Sequence, residues 1–266
     1  KIALTAPDKH LGPPPFHITS AGRMNASGIS VFYGANVPDL AIAEVRPPVG
    51  SQVLVGCFKL IQDLKLLDLT AFGEATLAGS IFDHSYAGRL EVVAFLRTLS
   101  NLITQPIMPD DAILDYLPTQ AISDFLASDP NINLDGMIYP STQLPGKDFN
   151  VILFNKASKV EMIKHPKGTE IEAETHEFNE DGWSHNYQVW HRVPKDEADT
   201  KEPEEEDFND ILPFKKADKE VRSPTLSLDL SSLNVHIVNR VLFESQPYSV
   251  TLYKINKVDY PDLRDE

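Results

Sequence analysis

The segment GRMNASGISVFYGANVPDLAIAEVR, residues 22–46, places three chemically different side chains close together. Arg23 lies in a turn, Tyr33 lies in the apolar run SVFYGA, and Glu44 lies near the end of LAIAEV. The apolar run predicts a short buried strand, and LAIAEV predicts a brief helix that stops before the two prolines that follow it. One segment would therefore offer a cation, an aromatic ring and a carboxylate to a small anionic ligand.

The composition limits the kinds of protein that this chain can be. With 266 residues, of which 42% are hydrophobic, it can bury a substantial core in one large domain or in one domain with an extension. The formal net charge of -15 disfavours a nucleic-acid-binding surface, which needs clustered Lys and Arg. A small anion is still an allowed ligand, because one well-placed Arg can hold it.

The cysteine and histidine residues argue against a disulfide or a metal site. Cys57 is the single cysteine, and the alternating run QVLVGCFKL predicts that it is a buried strand residue. The eight His residues show no metal-ligand spacing, and His176 and His185 are too distant in sequence to imply a shared site. No apolar run approaches the roughly 20 residues of a membrane span and no signal peptide is evident, so we expect a cytoplasmic protein.

Hydrophobic periodicity predicts helices inserted among strands. A long amphipathic helix is predicted over residues 85–103, and a shorter one follows PTQ and ends before Pro130. Strands are predicted for QVLVGCFKL, KLLDLT, GMIYPS and NVILF. Because the helices do not alternate regularly with the strands, the pattern predicts an α+β fold with a mixed, largely antiparallel sheet.

The composition changes after about residue 159. Strand character in TEIEAETHEF, NYQVWHRV, TLSLDLSSLNVHIVNRVLF and YSVTLYKI predicts a β-rich C-terminal extension over residues 159–266. Its acidic segment 195–219 has too little apolar surface to offset its ordering entropy, which predicts a disordered segment or a solubilising linker. We expect the strands of this extension to pack on the sheet of the preceding domain, residues 11–158.

Several motifs in register resemble one family. GRMN, GISVFYGA, AIAEVRPPVG, YLPTQAISDFL, DGMIYPSTQ and FNVILF resemble the RES domain family over roughly residues 11–158. That family is named for an Arg, a Glu and a Ser, which match Arg23, Glu44 and Ser141. The chain departs from the small members of the family by a helical insertion and by its C-terminal extension, so it looks like a longer branch.

The resemblance implies a fold similar to that of ADP-ribosyltransferases and an enzyme that degrades NAD, acting as the toxin of a bacterial toxin–antitoxin pair. NAD would be the substrate and no cofactor is expected, while an antitoxin or immunity protein would be the partner. The acceptor stays open among water (NAD glycohydrolase), phosphate (NAD phosphorylase) and a macromolecule (ADP-ribosyltransferase). A protein that binds NAD or a partner without turnover is the alternative from another class.

Arg23, Tyr33 and Glu44 are the predicted catalytic residues. Arg23 could offer a bidentate fork to the diphosphate or be structural, and Tyr33 could present its ring to nicotinamide with a free hydroxyl or be a core residue. Glu44 interrupts an apolar pattern, where a carboxylate must be paired, hydrogen-bonded or functional, and an ion pair with Arg46 is its structural alternative. Nicotinamide leaves as a neutral group, so one carboxylate can suffice to stabilise an oxocarbenium-like transition state.

Predicted NAD contacts include Arg23 and Tyr33 and extend to three further polar residues. Ser141 ends the predicted strand GMIYPS, where its hydroxyl could bind a phosphate or the carboxamide, and it lacks the GxSxG context of a nucleophile. Asn25 could contact the ribose or close its turn. Asn150 could contact the ligand or fix its own loop.

Overall fold

Eight strands shape the part of the chain that the computed structural model describes: residues 1–72, 80, 82–105, 112–141, 143–144, 146–180, 182–194, 222–242 and 245–253. Most of them fall where alternating or β-branched sequence predicted them. The strands are β1 (Phe32–Ala35), β2 (Gln52–Leu60), β3 (Leu66–Asp68), β4 (Gly136–Pro140), β5 (Phe149–Leu153), β6 (Glu170–Asn179), β7 (Gly182–Arg192) and β8 (Leu226–Ile237).

The helices in the described residues differ widely in length. Two of the longer ones, α3 and α6, begin with a Pro in their first turn, where the missing N–H costs no hydrogen bond. They are α1 (Ile2–Thr5), α2 (Pro7–Leu11), α3 (Pro38–Val45), α4 (Tyr86–Thr104), α5 (Ala112–Asp115) and α6 (Leu117–Ser128), with 3-10 turns at Phe16–Ile18, Thr70–Phe72 and Asn155–Ala157. The helices predicted around residues 85–103 and after PTQ correspond to α4 and α6.

The predicted mixed sheet is present and has four strands in the order β1-β5-β4-β3. Strand β5 pairs antiparallel with both β1 and β4, and only β3 and β4 pair in parallel. Two smaller antiparallel sheets, β2-β8 and β6-β7, complete the α+β fold. The central position of β5 explains its apolar sequence, because both of its edges and both of its faces are covered.

The two faces of the four-stranded sheet belong to two hydrophobic clusters, since neighbouring residues on a strand point to opposite faces. Ile152 packs in the first cluster with residues of α4 and α6, including Leu99 and Leu126. Leu153 packs in the second with Phe32 of β1 and Leu226 of β8. The C-terminal strand β8 is therefore part of the core that holds the sheet.

Strand β8 is tied to the preceding residues along much of its length. It pairs antiparallel with β2, and Leu226 at its start also bridges Val160. Just before it, the buried Thr225 hydroxyl donates a hydrogen bond of 2.7 Å to the carbonyl of Ala157. Segment 195–219, for which disorder was predicted, lies outside the described residues.

Two sequence predictions were wrong. Cys57 lies in β2 but its side chain is exposed, and it borders the open cleft described below instead of packing in the core. YSVTLYKI was predicted to be a strand, yet its described part, residues 248–253, has no strand. An apolar alternating run forms a strand only where another strand pairs with its backbone groups.

The burial of Leu226 predicts how strongly β8 stabilises the protein. Leu226→Ala should lower the free energy of unfolding by about 2–5 kcal/mol, because the side chain is only 2% exposed and its loss leaves a cavity. Leu230→Ala on the same strand is the matched control, since Leu230 is 45% exposed and its truncation should cost about 0.5 kcal/mol. Urea denaturation measures both. Equal, small losses for the two variants would show that β8 does not contribute to the core.

Candidate active site

Glu44 is held by two side chains that are distant from it in the sequence. It lies in the last turn of α3, and its Oε1 accepts hydrogen bonds from Ser141 Oγ at 2.7 Å and Asn150 Nδ2 at 2.6 Å. Glu44 and Arg46 form no ion pair; Arg46 instead ends the helix in a left-handed conformation with φ 51°. Glu44 Oε2 accepts no hydrogen bond from any residue of the described ranges, so this oxygen is open to a ligand.

The sheet fixes the two donors to Glu44. Asn150 is buried near the start of β5, where it lies between Ala35 of β1 and Tyr139 of β4. Ser141 follows the last residue of β4 directly. Because β4 and β5 are adjacent, their ends bring both donors to the same carboxylate. The structure thus places Glu44, Ser141 and Asn150 together.

The hydroxyl of Tyr33 is engaged by the protein. It donates to Asn25 Oδ1 at 2.9 Å and accepts from the backbone N–H of Met24 at 3.1 Å. Burial of this hydroxyl raises the pKa of Tyr33 to about 12, even though the residue is 45% exposed and lines the cleft described below. The free hydroxyl expected from the sequence is not found, whereas the ring is accessible.

Asn25 closes the turn that carries Arg23. Its Nδ2 lies within hydrogen-bond distance of the backbone carbonyls of Ser20, Ala26 and Ile29, at 3.0–3.2 Å. Its Oδ1 accepts from the Tyr33 hydroxyl, and the residue is 4% exposed. Both polar ends of this side chain are therefore engaged in shaping the turn, and Asn25 is not among the residues that line the cleft. A ribose contact from Asn25 stays a prediction.

Arg23 is anchored at the C-terminal end of α4. Its Nη1 donates to the carbonyls of Leu102, Ile103 and Gln105 at 3.2, 2.5 and 2.7 Å. Carbonyls at a helix end lack intrahelical partners and carry partial negative charge, so a guanidinium is stabilised there. Its Cζ also lies 5.6 Å from the centre of the Tyr116 ring. The other guanidinium nitrogens donate no hydrogen bond within the described part of the chain.

Helix α6 holds the backbone of the same turn. The Thr119 hydroxyl donates to the carbonyl of Arg23 at 2.5 Å, and Gln120 Nε2 donates to the carbonyl of Gly22 at 2.7 Å. These two residues belong to PTQ, one of the motifs that carried the family resemblance. The motif therefore positions Arg23 through hydrogen bonds to the backbone of its turn. The sequence alone did not indicate this role.

One cleft of about 1250 Å³ brings these groups together. Its lining includes Arg23, Tyr33, Glu44, Ser141 and Asn150. The anchored guanidinium and the oriented carboxylate thus face one space, with an aromatic ring exposed to it. This arrangement could bind an anionic ligand at one group and stabilise developing positive charge at the other.

Two tyrosines in the cleft were missed by the sequence reasoning. Tyr116 lies against Arg23, and Tyr139 of β4 lies beside Asn150. Burial, with the nearby Tyr33 phenol and Glu44 carboxylate, raises the pKa of Tyr139, so its hydroxyl stays protonated. The alternation of GMIYPS could have indicated Tyr139 as an inward-facing residue, because it lies two positions after the buried Met137 and therefore on the same face of β4.

One pair of histidines lies closer together than its separation in sequence indicated. His176 and His185 are opposite each other on strands β6 and β7, and their ring centres are 4.7 Å apart. A hairpin brings together residues whose separation in sequence had suggested independence. No group of three or more potential metal ligands is present among the described residues. Within the same ranges, no helix is long and apolar enough to cross a membrane.

Comparison with protein families identifies the family of this chain. A family model described as the RES domain matches residues 3–176, well over half of the chain. The chain belongs to the RES domain family. Comparisons with curated proteins and with solved structures found no match.

This RES domain match contains the whole of the arrangement built on Arg23, Tyr33, Glu44, Ser141 and Asn150. It begins before residue 11, where the motif-based resemblance started, and ends within β6. Strands β7 and β8 therefore lie beyond the family model, although β8 contributes to the core of the fold. Arg23, Glu44 and Ser141, which the sequence resemblance matched to the Arg, Glu and Ser of the family's name, all line one cleft.

The environment of Tyr33 predicts a pH-dependent stability difference. Tyr33→Phe leaves the buried N–H of Met24 without its acceptor and should lower the free energy of unfolding by about 1–3 kcal/mol at neutral pH. The phenol has a pKa of 10.0 in the unfolded chain and about 12 in the folded protein. The contribution of Tyr33 to the free energy of unfolding is therefore fully present below pH 10 and is lost as the pH rises towards 12.

Urea denaturation of both proteins between pH 8 and pH 11 measures that difference. The difference in unfolding free energy between wild type and Tyr33→Phe should be constant below pH 10 and should become smaller above it. Tyr248→Phe is the control, because Tyr248 is 80% exposed and should show no gap at any pH. A gap between wild type and Tyr33→Phe that widens above pH 10 would contradict the assigned burial of the hydroxyl.

Proposed function

We propose that the protein cleaves the bond between nicotinamide and ribose in NAD, as an NAD glycohydrolase or NAD phosphorylase. The observation that carries the proposal is the carboxylate of Glu44, oriented by Ser141 and Asn150 in a cleft that also contains Arg23. A fixed carboxylate beside a bound anion suits a reaction in which positive charge develops on the sugar of a diphosphate substrate. The motifs of this chain resemble those of the RES domain family, and the NAD-degrading activity that this resemblance implies supports the same substrate.

The chemistry requires one bond to break and one to form at C1′ of the ribose. The electron pair of the C1′–N bond leaves with nicotinamide, which departs as a neutral group and needs no general acid. Oxygen of water then bonds to C1′ and releases a proton to the solvent, whereas phosphate bonds through a deprotonated oxygen that has no proton to lose. Glu44 Oε2, which accepts no hydrogen bond from the described residues, is free to hold the ribose hydroxyls and to stabilise the oxocarbenium-like transition state.

Each remaining group has a distinct part in this proposal. Arg23 donates to the diphosphate with the guanidinium nitrogens that the end of α4 does not use. Tyr33 offers its exposed ring to the nicotinamide while its hydroxyl holds the turn around Arg23. Ser141 and Asn150 act mainly through Glu44, and their contacts with NAD itself stay predictions.

The biological role proposed here follows the family resemblance. We propose a fold relationship with ADP-ribosyltransferases and a role as a toxin that is restrained by an antitoxin or immunity protein. Transfer of ADP-ribose to a macromolecule and binding of NAD without turnover are the outcomes that would replace NAD degradation. Incubating purified protein with NAD, with and without phosphate, and measuring free nicotinamide and the ribosyl product separates these outcomes.

Glu44→Gln tests the role of the carboxylate. The amide keeps an oxygen that can accept from Ser141 and Asn150, but it lacks the charge that stabilises the transition state. We expect kcat to fall by about 10²–10³-fold while KM for NAD changes little. Glu91→Gln, on an exposed position of α4, is the control and should turn over at the wild-type rate. Wild-type kcat in Glu44→Gln would remove Glu44 from the mechanism.

Arg23→Ala tests ground-state binding of the diphosphate. Loss of the charge-assisted hydrogen bonds between the guanidinium and the diphosphate should weaken the binding free energy by about 1.5–3 kcal/mol. KM for NAD should therefore rise tenfold or more. Because Arg23 also contacts the end of α4, circular dichroism and thermal unfolding must accompany the kinetics. Arg89→Ala removes an Arg from an exposed ion pair with Asp83 and should leave KM unchanged. A folded Arg23→Ala protein with wild-type KM would exclude the diphosphate contact.

A further inference from the structure

Strand β8 lines the same cleft as Glu44, although it lies beyond the residues that match the family model. Asn234 and His236 of β8 are among the lining residues, together with Val53 and Val55 of β2. The register pairs Val53 with His236 and Val55 with Asn234. Two polar residues near the end of β8 and two apolar residues of β2 therefore form one wall of the cleft side by side.

The polar side chains on this wall have unused hydrogen-bonding capacity. Asn234 Nδ2 donates to the carbonyl of Ser232 at 2.9 Å, which uses one of its two protons. Its Oδ1 accepts no hydrogen bond from the described residues, and the half-buried imidazole of His236 makes none with them either. The Asn234 amide thus keeps one free N–H donor and one free oxygen acceptor. It lies close to the His236 imidazole, which can donate or accept a hydrogen bond.

The cleft is larger than the usual ligand pocket. Ligand pockets usually enclose roughly 300–1,000 Å³, whereas this cleft has about 1250 Å³. Arg23, Tyr33 and Glu44 are sufficient for the diphosphate, the nicotinamide and its ribose in the mechanism proposed above. The wall formed by β2 and β8 is left for the part of the substrate that lies beyond the diphosphate.

We propose that Asn234 and His236 bind the adenosine half of NAD, and this inference rests on the proposed NAD cleavage. Adenine presents an adjacent donor and acceptor, N6 and N7, which a side-chain amide can match with its own acceptor and donor. Val53 and Val55 offer an apolar surface for the face of the base, and His236 offers a hydrogen bond to the base or its ribose. The C-terminal strand thereby determines the preference for a dinucleotide.

Comparing NAD with nicotinamide mononucleotide tests this assignment, because the mononucleotide has the scissile bond and one phosphate but no adenosine. Asn234→Ala and His236→Ala should each raise KM for NAD about fivefold, as expected for one lost hydrogen bond. KM for nicotinamide mononucleotide and kcat for both substrates should stay at wild-type values. Unchanged cleavage of the mononucleotide also shows that each variant is folded.

Asn186→Ala and His191→Ala are the matched controls, since both residues lie on β7 and line no part of this cleft. They should leave KM for both substrates unchanged. Variants of Asn234 and His236 that weaken both substrates equally, or neither, would overturn the adenosine assignment while leaving NAD cleavage intact. Wild-type protein that releases nicotinamide from neither substrate would instead refute the proposed function on which the assignment rests.

Discussion

The pairing of β5 with β1 on one edge and β4 on the other is the constraint on which the site depends. It places Ile152 in one hydrophobic cluster and Leu153 in the other, so a shift of the strand by one residue would move each side chain into the cluster that the other one fits. Asn150, on the same strand, is fixed by the same register. Its amide consequently reaches Glu44 in a defined orientation, and the core stabilises the geometry of the carboxylate.

The position of Arg23 depends on a second constraint, which is supplied by two helices. The end of α4 accepts from its guanidinium, and α6 donates to its carbonyl through Thr119. A long flexible side chain loses rotamer entropy when it binds a ligand, and prior anchoring lowers that loss. Helices α4 and α6 thus support the Arg to which the proposed mechanism assigns the diphosphate.

The C-terminal strand extends this organisation in two ways. Leu226 and Leu228 at its start are buried against the central sheet, while Asn234 and His236 near its end border the cleft. The irregular register between Cys57 and Val55 separates these two parts of the β2-β8 ladder. The start of β8 therefore stabilises the core, while the residues near its end are the ones that we propose contact the substrate. Substitutions of Asn234 and His236 can then change the cleft without disturbing the buried leucines.

The sequence by itself determined the fold class, most strands, the two longer helices α4 and α6, and the family. Periodicity and turn residues are local signals, and they suffice for elements whose burial pattern is regular. Only the tertiary structure decided which groups meet: that Ser141 and Asn150 hold Glu44, that the hydroxyl of Tyr33 is engaged, and that β8 borders the cleft. These contacts join residues from separate strands and helices, and strand order and register, which create them, are set by packing across the whole molecule.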